Sequence, residues 1–278
     1  MGHGIAQVFA LAGYQVHLNS RNEESLQRGI KNIQDDLQRL IEFEIITQEQ
    51  AETVLPNIYT SAMLKDAVED SDVVIEAVYE DLGLKQQLFQ ELDQLCPART
   101  ILASTTSTLM PSKLSQVTKR PDKVLVAHFT GPSYLSPLVE VARSQDTSDE
   151  AVSTIYNLLL KAGKRPVLVQ KEVPGFIANR LQVALLREAL SMVQKGIASA
   201  QDVDAVLKDG HARRWAVAGV FEMVEIIAGW DLVLAAAPGV LPYLDNSTDM
   251  TAFPIVKEMV ERGELGAKTA KGFYEWTP

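Results

Sequence analysis

The sequence is poor in cysteine, in positive charge and in uninterrupted hydrophobic stretches. Cys96 is the single cysteine among 278 residues, which excludes an internal disulfide and fits a reducing compartment. The formal net charge of -10 argues against nucleic acid or an anionic membrane as the main partner, because both require a basic surface. The most apolar stretch, 215–241, contains three acidic residues and is predicted to be buried helix and not a membrane span. We expect a cytoplasmic protein without a signal peptide that binds a small molecule, and we predict no metal site.

An alternation of helical patterns and short β-branched runs covers residues 1–171. The runs lie at 16–18, 72–77, 100–103, 123–127 and 166–169. Continuous β-branched runs separated by helices predict a parallel sheet covered on both faces, and residues 22–52 are predicted to form one long amphipathic helix. Residues 172–278 have a helical pattern almost throughout. We therefore predict an α/β domain at 1–171, followed by an all-α domain at 172–278.

Two glycines stand at the start of the first predicted helix. Gly2 and Gly4 precede an apolar helical pattern and a short strand, as at the end of a dinucleotide-binding turn. Glycines there let the backbone approach a pyrophosphate, which the free N–H groups and the dipole of the helix N-terminus attract. Glycines that merely begin a helix would look the same, so this stretch alone leaves both interpretations open.

The residues after the 16–18 strand bear on the choice of nicotinamide cofactor. A carboxylate normally stands there to hold the ribose hydroxyls, whereas this sequence has Ser20 and Arg21. A Ser-Arg pair can hydrogen-bond and ion-pair a 2′-phosphate, which favours NADP over NAD. In the alternative interpretation, Arg21 stacks on adenine or points to solvent.

A histidine and a glutamate form the clearest catalytic candidate. His128 ends one apolar run, a proline-containing loop follows, and Glu140 lies inside the next run. Glu140 is flanked by Leu138, Val139 and Val141, so we expect it to be partly buried, where an unpaired charge is costly. A carboxylate on one ring nitrogen of His128 would make the other nitrogen a general base. A purely structural His–Glu contact fits the spacing equally well.

Together with four further motifs, this stretch resembles the L-3-hydroxyacyl-CoA dehydrogenase family. The further motifs are Tyr-Glu-Asp-Leu-Gly-Leu-Lys at 79–85, Ala-Ser-Thr-Thr-Ser at 103–107, Pro-Gly-Phe-Ile-Ala-Asn-Arg-Leu at 174–181 and Lys-Gly-Phe-Tyr-Glu-Trp at 271–276. The resemblance runs essentially from end to end. It implies a Rossmann-type NAD(P)-binding domain followed by a helical domain that also dimerises.

The resemblance also implies a role for several residues. His128 would accept the proton of a substrate hydroxyl while hydride passes to nicotinamide, and Glu140 would orient His128. Ser107 and Asn179 would hydrogen-bond the reacting oxygen, although as isolated residues they also suit a turn and a helix cap. The cofactor contacts carried over from the family are Glu80 and Lys85.

The family fingerprint offers an explanation for the unusual beginning of the chain. That fingerprint has a strand and the pattern Gly-x-Gly-x-Met-Gly-x-Gly, so the chain starts at its Met and Gly2 is the third fingerprint glycine. We expect a native product with roughly ten further residues, because the pattern places a strand and two glycines ahead of this point. Without that central strand, both neighbouring strands should expose unpaired backbone.

The substrate is expected to be a free L-3-hydroxy acid, gulonate-like or carnitine-like. Acyl-CoA members of the family carry several lysines after the second strand, whereas residues 37–45 contain one cation and two anions. Residues 104–114 and 132–140 are more similar to the lambda-crystallin subgroup. The segment 210–215 also matches that subgroup, which places Arg214 of this chain where it would clamp a substrate carboxylate. Arg214 as a solvated helix charge is equally compatible.

Three functional readings therefore follow from the sequence. The main one is NAD(P)-dependent oxidation of a free L-3-hydroxy acid to the 3-oxo acid. The alternative is an L-3-hydroxyacyl-CoA dehydrogenase of fatty-acid metabolism, acting for example on 3-hydroxybutyryl-CoA. A third hypothesis is a non-catalytic, crystallin-like structural or binding protein. The presence of both His128 and Glu140 argues against it.

Overall fold

The structure is a computed structural model that describes residues 1–249 and 252–277. It contains two compact units, Met1–Asn179 and Arg180–Pro278. The first unit alternates strands and helices, and the second is helical. The predicted α/β fold followed by a helical domain is therefore confirmed.

The strands of the first unit form two separate sheets. The strands are β1 (Val16–Asn19), β2 (Ile58–Ser61), β3 (Val73–Glu76), β4 (Ile101–Ser104), β5 (Val124–Phe129), β6 (Leu138–Arg143) and β7 (Arg165–Val169). β1 pairs in parallel with β2, and the other sheet has the order β3-β4-β5-β6-β7. Within it β5 and β6 are antiparallel, unlike the purely parallel sheet that the sequence predicted. The connection at 130–137 is too short for the crossover that parallel pairing requires.

The helices of the first unit flank these sheets. They are α1 (Gly2–Leu11), α2 (Glu23–Glu42), α3 (Gln48–Glu52), α4 (Leu64–Val68), α5 (Leu82–Leu95), α6 (Pro111–Ser115) and α7 (Asp149–Lys161). The single helix predicted for 22–52 is thus two helices. Glu44 has a positive φ of 55° between them. Thr47 then begins α3 through a capping box with Gln50, which satisfies free amides at the new helix start.

β1 and β3 each have one strand neighbour among the described residues, β2 and β4 respectively. Their other edges carry backbone groups without a strand partner in this part of the chain. Val16 of β1 and Val73 and Ile75 of β3 pack against the cluster that contains Ile5 and Phe9 of α1. The two sheets therefore share one helix as a packing partner.

β5 is buried along its whole length, and this explains its continuous apolar sequence. Leu125 packs in a cluster with Ile155 of α7, whereas Val124 packs in another with Phe89 of α5. Val126 contacts a further group that includes Phe176. The strand that ends near His128 is therefore held from both faces.

The second unit is mainly helical over its described residues. The helices from the unit boundary onward are α8 (Ala178–Gln194), α9 (Ala200–Val206), α10 (Ala212–Trp215), α11 (Val220–Ile227), α12 (Trp230–Ala236) and α13 (Pro254–Glu261). The hydroxyl of Tyr274 donates to Asp204 Oδ2 at 2.7 Å, which ties the end of the chain to α9. Over the described ranges, the structure has no helix with the length and apolarity needed to cross a membrane.

Candidate active site

His128 and Glu140 face each other across an antiparallel strand pair. Phe129 ends β5 and Leu138 begins β6, and the register places His128 directly opposite Glu140. Residues at opposite positions of such a pair have their Cβ atoms about 5 Å apart on the same face of the sheet. The twelve-residue spacing in the sequence is therefore the spacing of a directly opposed pair.

Both side chains are buried and bonded to each other. His128 is 5% exposed and Glu140 is 1% exposed. His128 Nδ1 lies 2.8 Å from Glu140 Oε2, and Glu140 Oε1 accepts hydrogen bonds from the backbone amides of Ile177 at 2.8 Å and Ala178 at 2.9 Å. Because an ionised carboxylate can only accept, Nδ1 carries the hydrogen and Nε2 is left as the acceptor, which is the tautomer that a general base needs.

An unusual backbone turn delivers the two amides to Glu140. Gly175 and Phe176 have positive φ angles of 78° and 47°, a conformation that non-glycine residues adopt rarely. The Phe176 side chain is fully buried, and its ring centroid lies 5.7 Å from that of His128. The turn before α8 thus contacts both members of the pair.

Ser107 and Asn179 are brought together at the edge of this arrangement. Ser107 lies in the segment that follows β4, and its carbonyl oxygen accepts a hydrogen bond from Asn179 Nδ2 at 3.1 Å. Asn179 directly follows Ala178, whose amide binds Glu140. His128 binds Glu140, Glu140 binds the amide of the residue before Asn179, and Asn179 binds Ser107. The four predicted catalytic residues are therefore connected to one another.

Glu80 is bonded to the same Ser107 segment. Its Oε1 accepts from the amides of Ser107 at 3.1 Å and Thr108 at 3.2 Å, and from the hydroxyls of Thr106 and Thr108. Burial raises the pKa of Glu80, but the hydrogen bonds from Thr106 and Thr108 and the charge of Lys85 outweigh it, so the pKa lies below the usual value. Glu80 therefore remains a carboxylate at neutral pH.

Lys85 is buried next to Glu80 and forms an ion pair. Its Nζ donates to Glu76 Oε1 at 2.7 Å and to the carbonyl of Val78 at 3.2 Å. The other oxygen of Glu76 accepts from Ser104 Oγ at 2.6 Å. Glu76 is not among the residues predicted for the site, although an acid at the end of a β-branched run requires a partner and Lys85 follows nine residues later.

The predicted pyrophosphate site lies at the N-terminus of α1. Met1 precedes the helix without a capping side-chain hydrogen bond, so the first amides are available for an anion. A Cβ atom on Gly4 would collide with Ser133 Oγ, and one on Gly2 would lie 3.6 Å from Ala77 Cβ. Gly4 is therefore required by its packing against Ser133, whereas Gly2 has room for a Cβ atom. It is the uncapped amides of α1 that fit a dinucleotide phosphate.

The remaining predicted residues lie on the surface. Ser20 and Arg21 directly follow β1, where Ser20 is half-buried and Arg21 is exposed. Arg214 belongs to the second unit, where it is exposed and lies 3.4 Å from the His211 ring nitrogen. Within the described ranges no group of three or more His, Cys, Asp or Glu side chains could hold a metal ion.

A Rossmann-type sheet, uncapped amides at the N-terminus of α1 and a buried histidine–glutamate pair together match a nicotinamide-dependent dehydrogenase. The family models for the NAD-binding and C-terminal domains of 3-hydroxyacyl-CoA dehydrogenase match residues 1–173 and 175–276. The chain belongs to the 3-hydroxyacyl-CoA dehydrogenase family. It is an NAD(P)-dependent oxidoreductase of that family.

Relatives of this chain carry names from different substrate classes. A 3-hydroxybutyryl-CoA dehydrogenase of Clostridioides difficile is 34% identical over 276 residues, covering 99% of this chain and 96% of the relative. The human lambda-crystallin homolog is 34% identical over 256 residues, covering 90% of this chain and 76% of the relative. A solved structure of a 5-formyl-3-hydroxy-2-methylpyridine 4-carboxylic acid 5-dehydrogenase, an NAD⁺-dependent dismutase, is 29% identical. That match has a TM-score of 0.91 and covers 100% of this chain and 88% of the other.

Proposed function

We propose that the chain oxidises the 3-hydroxyl group of a short L-3-hydroxyacyl-CoA to the 3-oxo thioester. The buried His128–Glu140 pair is the observation that supports alcohol oxidation. His128 Nδ1 lies 2.8 Å from Glu140 Oε2, and Glu140 Oε1 accepts hydrogen bonds from two backbone amides. The thioester is favoured over the free acid that the sequence analysis expected, because the relatives named 3-hydroxybutyryl-CoA dehydrogenase match nearly their whole length.

The residues of the pair divide the proton chemistry between them. His128 Nε2 accepts the proton of the substrate hydroxyl, and Glu140 stabilises the resulting positive ring through Nδ1–H. The Ile177 and Ala178 amides hold Glu140 in place, so it cannot turn away from the ring. A bound nicotinamide cofactor would supply the hydride acceptor for the carbon that carries this hydroxyl.

Ser107 and Asn179 are proposed to bind the reacting oxygen. One amide hydrogen of Asn179 is used on the Ser107 carbonyl, which fixes the orientation of the side chain. Asn179 keeps a second N–H donor, and Ser107 keeps its hydroxyl. Two donors from adjacent positions can thus stabilise negative charge on the substrate oxygen.

A substrate panel tests the proposed function. The purified chain is assayed for reduced cofactor with L-3-hydroxybutyryl-CoA, L-3-hydroxybutyrate, L-gulonate and L-carnitine, each with NAD and NADP. We expect kcat/KM for the thioester to exceed that of every free acid by about 100-fold, because the CoA moiety contributes binding energy away from the reacting carbon. Turnover of a free acid alone would contradict the proposal.

A free L-3-hydroxy acid is the second candidate. One relative acts, by its name, on a pyridine carboxylic acid, and another is named as a lambda-crystallin homolog. Asp36 is buried on α2, where it lies within 4 Å of Arg39 and His3. Arg39 is the one cation among residues 37–45, and because it is already paired it is less available to a CoA phosphate. The exposed Arg214 would supply the carboxylate clamp in this second reading.

The Ser20–Arg21 pair is proposed to favour NADP over NAD. Arg21 is exposed directly after β1, which is the position of the residue that contacts the adenosine ribose in this type of fold. We expect Arg21→Ala to lower kcat/KM with NADP by about 10-fold, because a charge-assisted contact to the 2′-phosphate is lost. With NAD the value should change less than about twofold. An equal loss with both cofactors would show that Arg21 does not select between them.

We also propose that the helical unit forms a homodimer interface. Large apolar side chains of α11 and α12 are exposed in the described chain, more than a soluble surface usually carries in one region. They are Val220, Phe221, Ile226, Ile227, Trp230, Leu232 and Leu234. Light scattering after gel filtration should give twice the chain mass of 30.6 kDa, and Phe221→Asp should shift the protein toward monomer. A monomer before any substitution would refute this assignment.

A cytoplasmic location is the last part of the proposal. Cys96 is the single cysteine, and burial raises the pKa of its thiol to about 11, so it remains protonated at neutral pH. A chain that needs no disulfide suits a reducing compartment. Fractionation of source cells with an antibody against the chain tests this location, and recovery in an organelle fraction would contradict it.

A further inference from the structure

One oxygen of Glu80 is committed to the turn that follows β4. Oε1 accepts from the Ser107 amide at 3.1 Å, from the Thr108 amide at 3.2 Å and from the Thr108 hydroxyl at 2.9 Å. The Thr106 hydroxyl donates to the same oxygen. Bonds to a charged acceptor are stronger than neutral ones, so a single carboxylate oxygen restrains three consecutive residues.

The other oxygen of Glu80 faces a cation whose own position is fixed. Oε2 lies 3.6 Å from Lys85 Nζ. Lys85 is 1% exposed and is bonded to the Glu76 carboxylate and the Val78 carbonyl. Lys85 therefore cannot follow Glu80 if Glu80 moves, and the buried pair serves as an anchor for it.

The restrained turn is the one that contains Ser107. The Ser107 carbonyl also accepts the hydrogen bond from Asn179 Nδ2. A displacement of the turn would consequently move the Ser107 hydroxyl and release the Asn179 amide together. Both groups are proposed above to contact the reacting oxygen, and displacements of about 1 Å at such groups can cost 100-fold in rate.

We propose that Glu80 is a positioning residue for Ser107 and, through the Ser107 carbonyl, for Asn179. The role goes beyond the cofactor contact that the family resemblance implies for Glu80, and it rests on the proposed function for its catalytic consequence. Lys85, which is paired with Glu76, restrains Glu80 through their charge interaction. Thr106 and Thr108 then connect Glu80 to the turn through their hydrogen bonds.

The test compares Glu80→Gln with the matched control Asp81→Asn. Glutamine lacks the charge, and its amide nitrogen would face Lys85 or the turn donors. Asp81 is the neighbouring exposed acid, whose Oδ1 caps α5 through the Leu84 amide, and asparagine is an equally good cap. For Glu80→Gln we expect kcat/KM for L-3-hydroxybutyryl-CoA to fall about 10- to 100-fold, with a rise in the Kd for NAD that is several-fold smaller than this loss. Asp81→Asn should change neither value by more than about twofold.

Amide hydrogen exchange provides a readout that does not depend on activity. In Glu80→Gln the Ser107 and Thr108 amides should exchange about 10-fold faster, because they lose a charged acceptor. Exchange at the Ile177 and Ala178 amides, which bind Glu140, should not change. If the unsubstituted chain proves inactive on every substrate tested, the proposed function fails, and the exchange experiment still decides whether Glu80 holds the turn.

A double-mutant cycle with Thr108→Val completes the test, since Thr108 is exposed and its substitution should leave the fold intact. A shared positioning role predicts that the losses in kcat/KM for Glu80→Gln and Thr108→Val are less than additive. Unchanged amide exchange in Glu80→Gln would overturn the proposal. An increase in the Kd for NAD equal to the loss in kcat/KM would also overturn it, because weaker cofactor binding alone would then explain the lost activity.

Discussion

Replacing His128 with glutamine is expected to lower kcat for the thioester by about 1,000-fold and to leave the Kd for NAD within about twofold of its original value. Glutamine approximates the size of the ring and can still donate to Glu140, but it cannot accept a proton from the substrate hydroxyl. The loss corresponds to about 4 kcal/mol of transition-state stabilisation, which lies within the range of general base catalysis. Steady-state assays and calorimetric titration with NAD measure the two quantities.

His17→Gln is the matched control for this substitution. His17 lies on β1, is exposed and stacks on Tyr59 with ring centroids 5.4 Å apart. It has no contact with Glu140, so its loss should change kcat by less than about twofold, as for most surface substitutions. If His128→Gln retained most of its activity, His128 could not be the base.

Replacing Glu140 with glutamine is expected to lower kcat by about 100-fold or more. Both oxygens of Glu140 face donors, with His128 Nδ1 at Oε2 and two amides at Oε1. A glutamine must place its NH₂ group against one set of donors. If it faces the ring, His128 adopts the tautomer in which Nε2 carries the hydrogen, and Nε2 can then no longer accept the substrate proton.

The same substitution should also destabilise the first unit. A buried donor left without its acceptor costs about 1–3 kcal/mol. Thermal unfolding followed by circular dichroism measures the change, with Glu91→Gln as the control because Glu91 is exposed on α5. Normal kcat together with a lowered melting temperature would reduce Glu140 to a structural partner of His128.

Local patterns explain how much of the fold could be predicted. The β-branched runs near β3, β4 and β5 appear in the sequence because those strands are buried on both faces. β2 escaped prediction because Ile58–Ser61 mixes apolar and polar residues and is only half-buried. The single helix expected at 22–52 failed at Glu44, since helical periodicity alone does not reveal a residue with positive φ.

The contact between His128 and Glu140 was accessible from the sequence for a physical reason. A glutamate inside an apolar run needs a partner, and histidine was the nearest candidate. The same rule applied to Glu76 would have identified Lys85 as its partner. The Ile177 and Ala178 amides could not be predicted, because backbone donors depend on the turn at Phe176, and no side chain marks them.

The network around Glu80 required the structure for a similar reason. The Thr106, Ser107 and Thr108 donors converge on one oxygen because β3 and β4 are parallel neighbours whose carboxyl ends lie at the same edge. The sequence shows a run of hydroxyl residues and a distant acid, but the distance between them along the chain hides their contact. A carboxylate that looked like a cofactor contact is therefore also the acceptor for the Ser107 turn.

The decisive measurement is the rate of NAD(P)H formation from L-3-hydroxybutyryl-CoA, made with NAD and with NADP on the unsubstituted chain and on His128→Gln. We expect turnover of the L-isomer by the unsubstituted chain and a loss of about 1,000-fold in the variant, with cofactor binding retained in both. Equal rates in the two proteins, or no reduction of either cofactor by the unsubstituted chain with the thioester, would rule out the proposed role of His128.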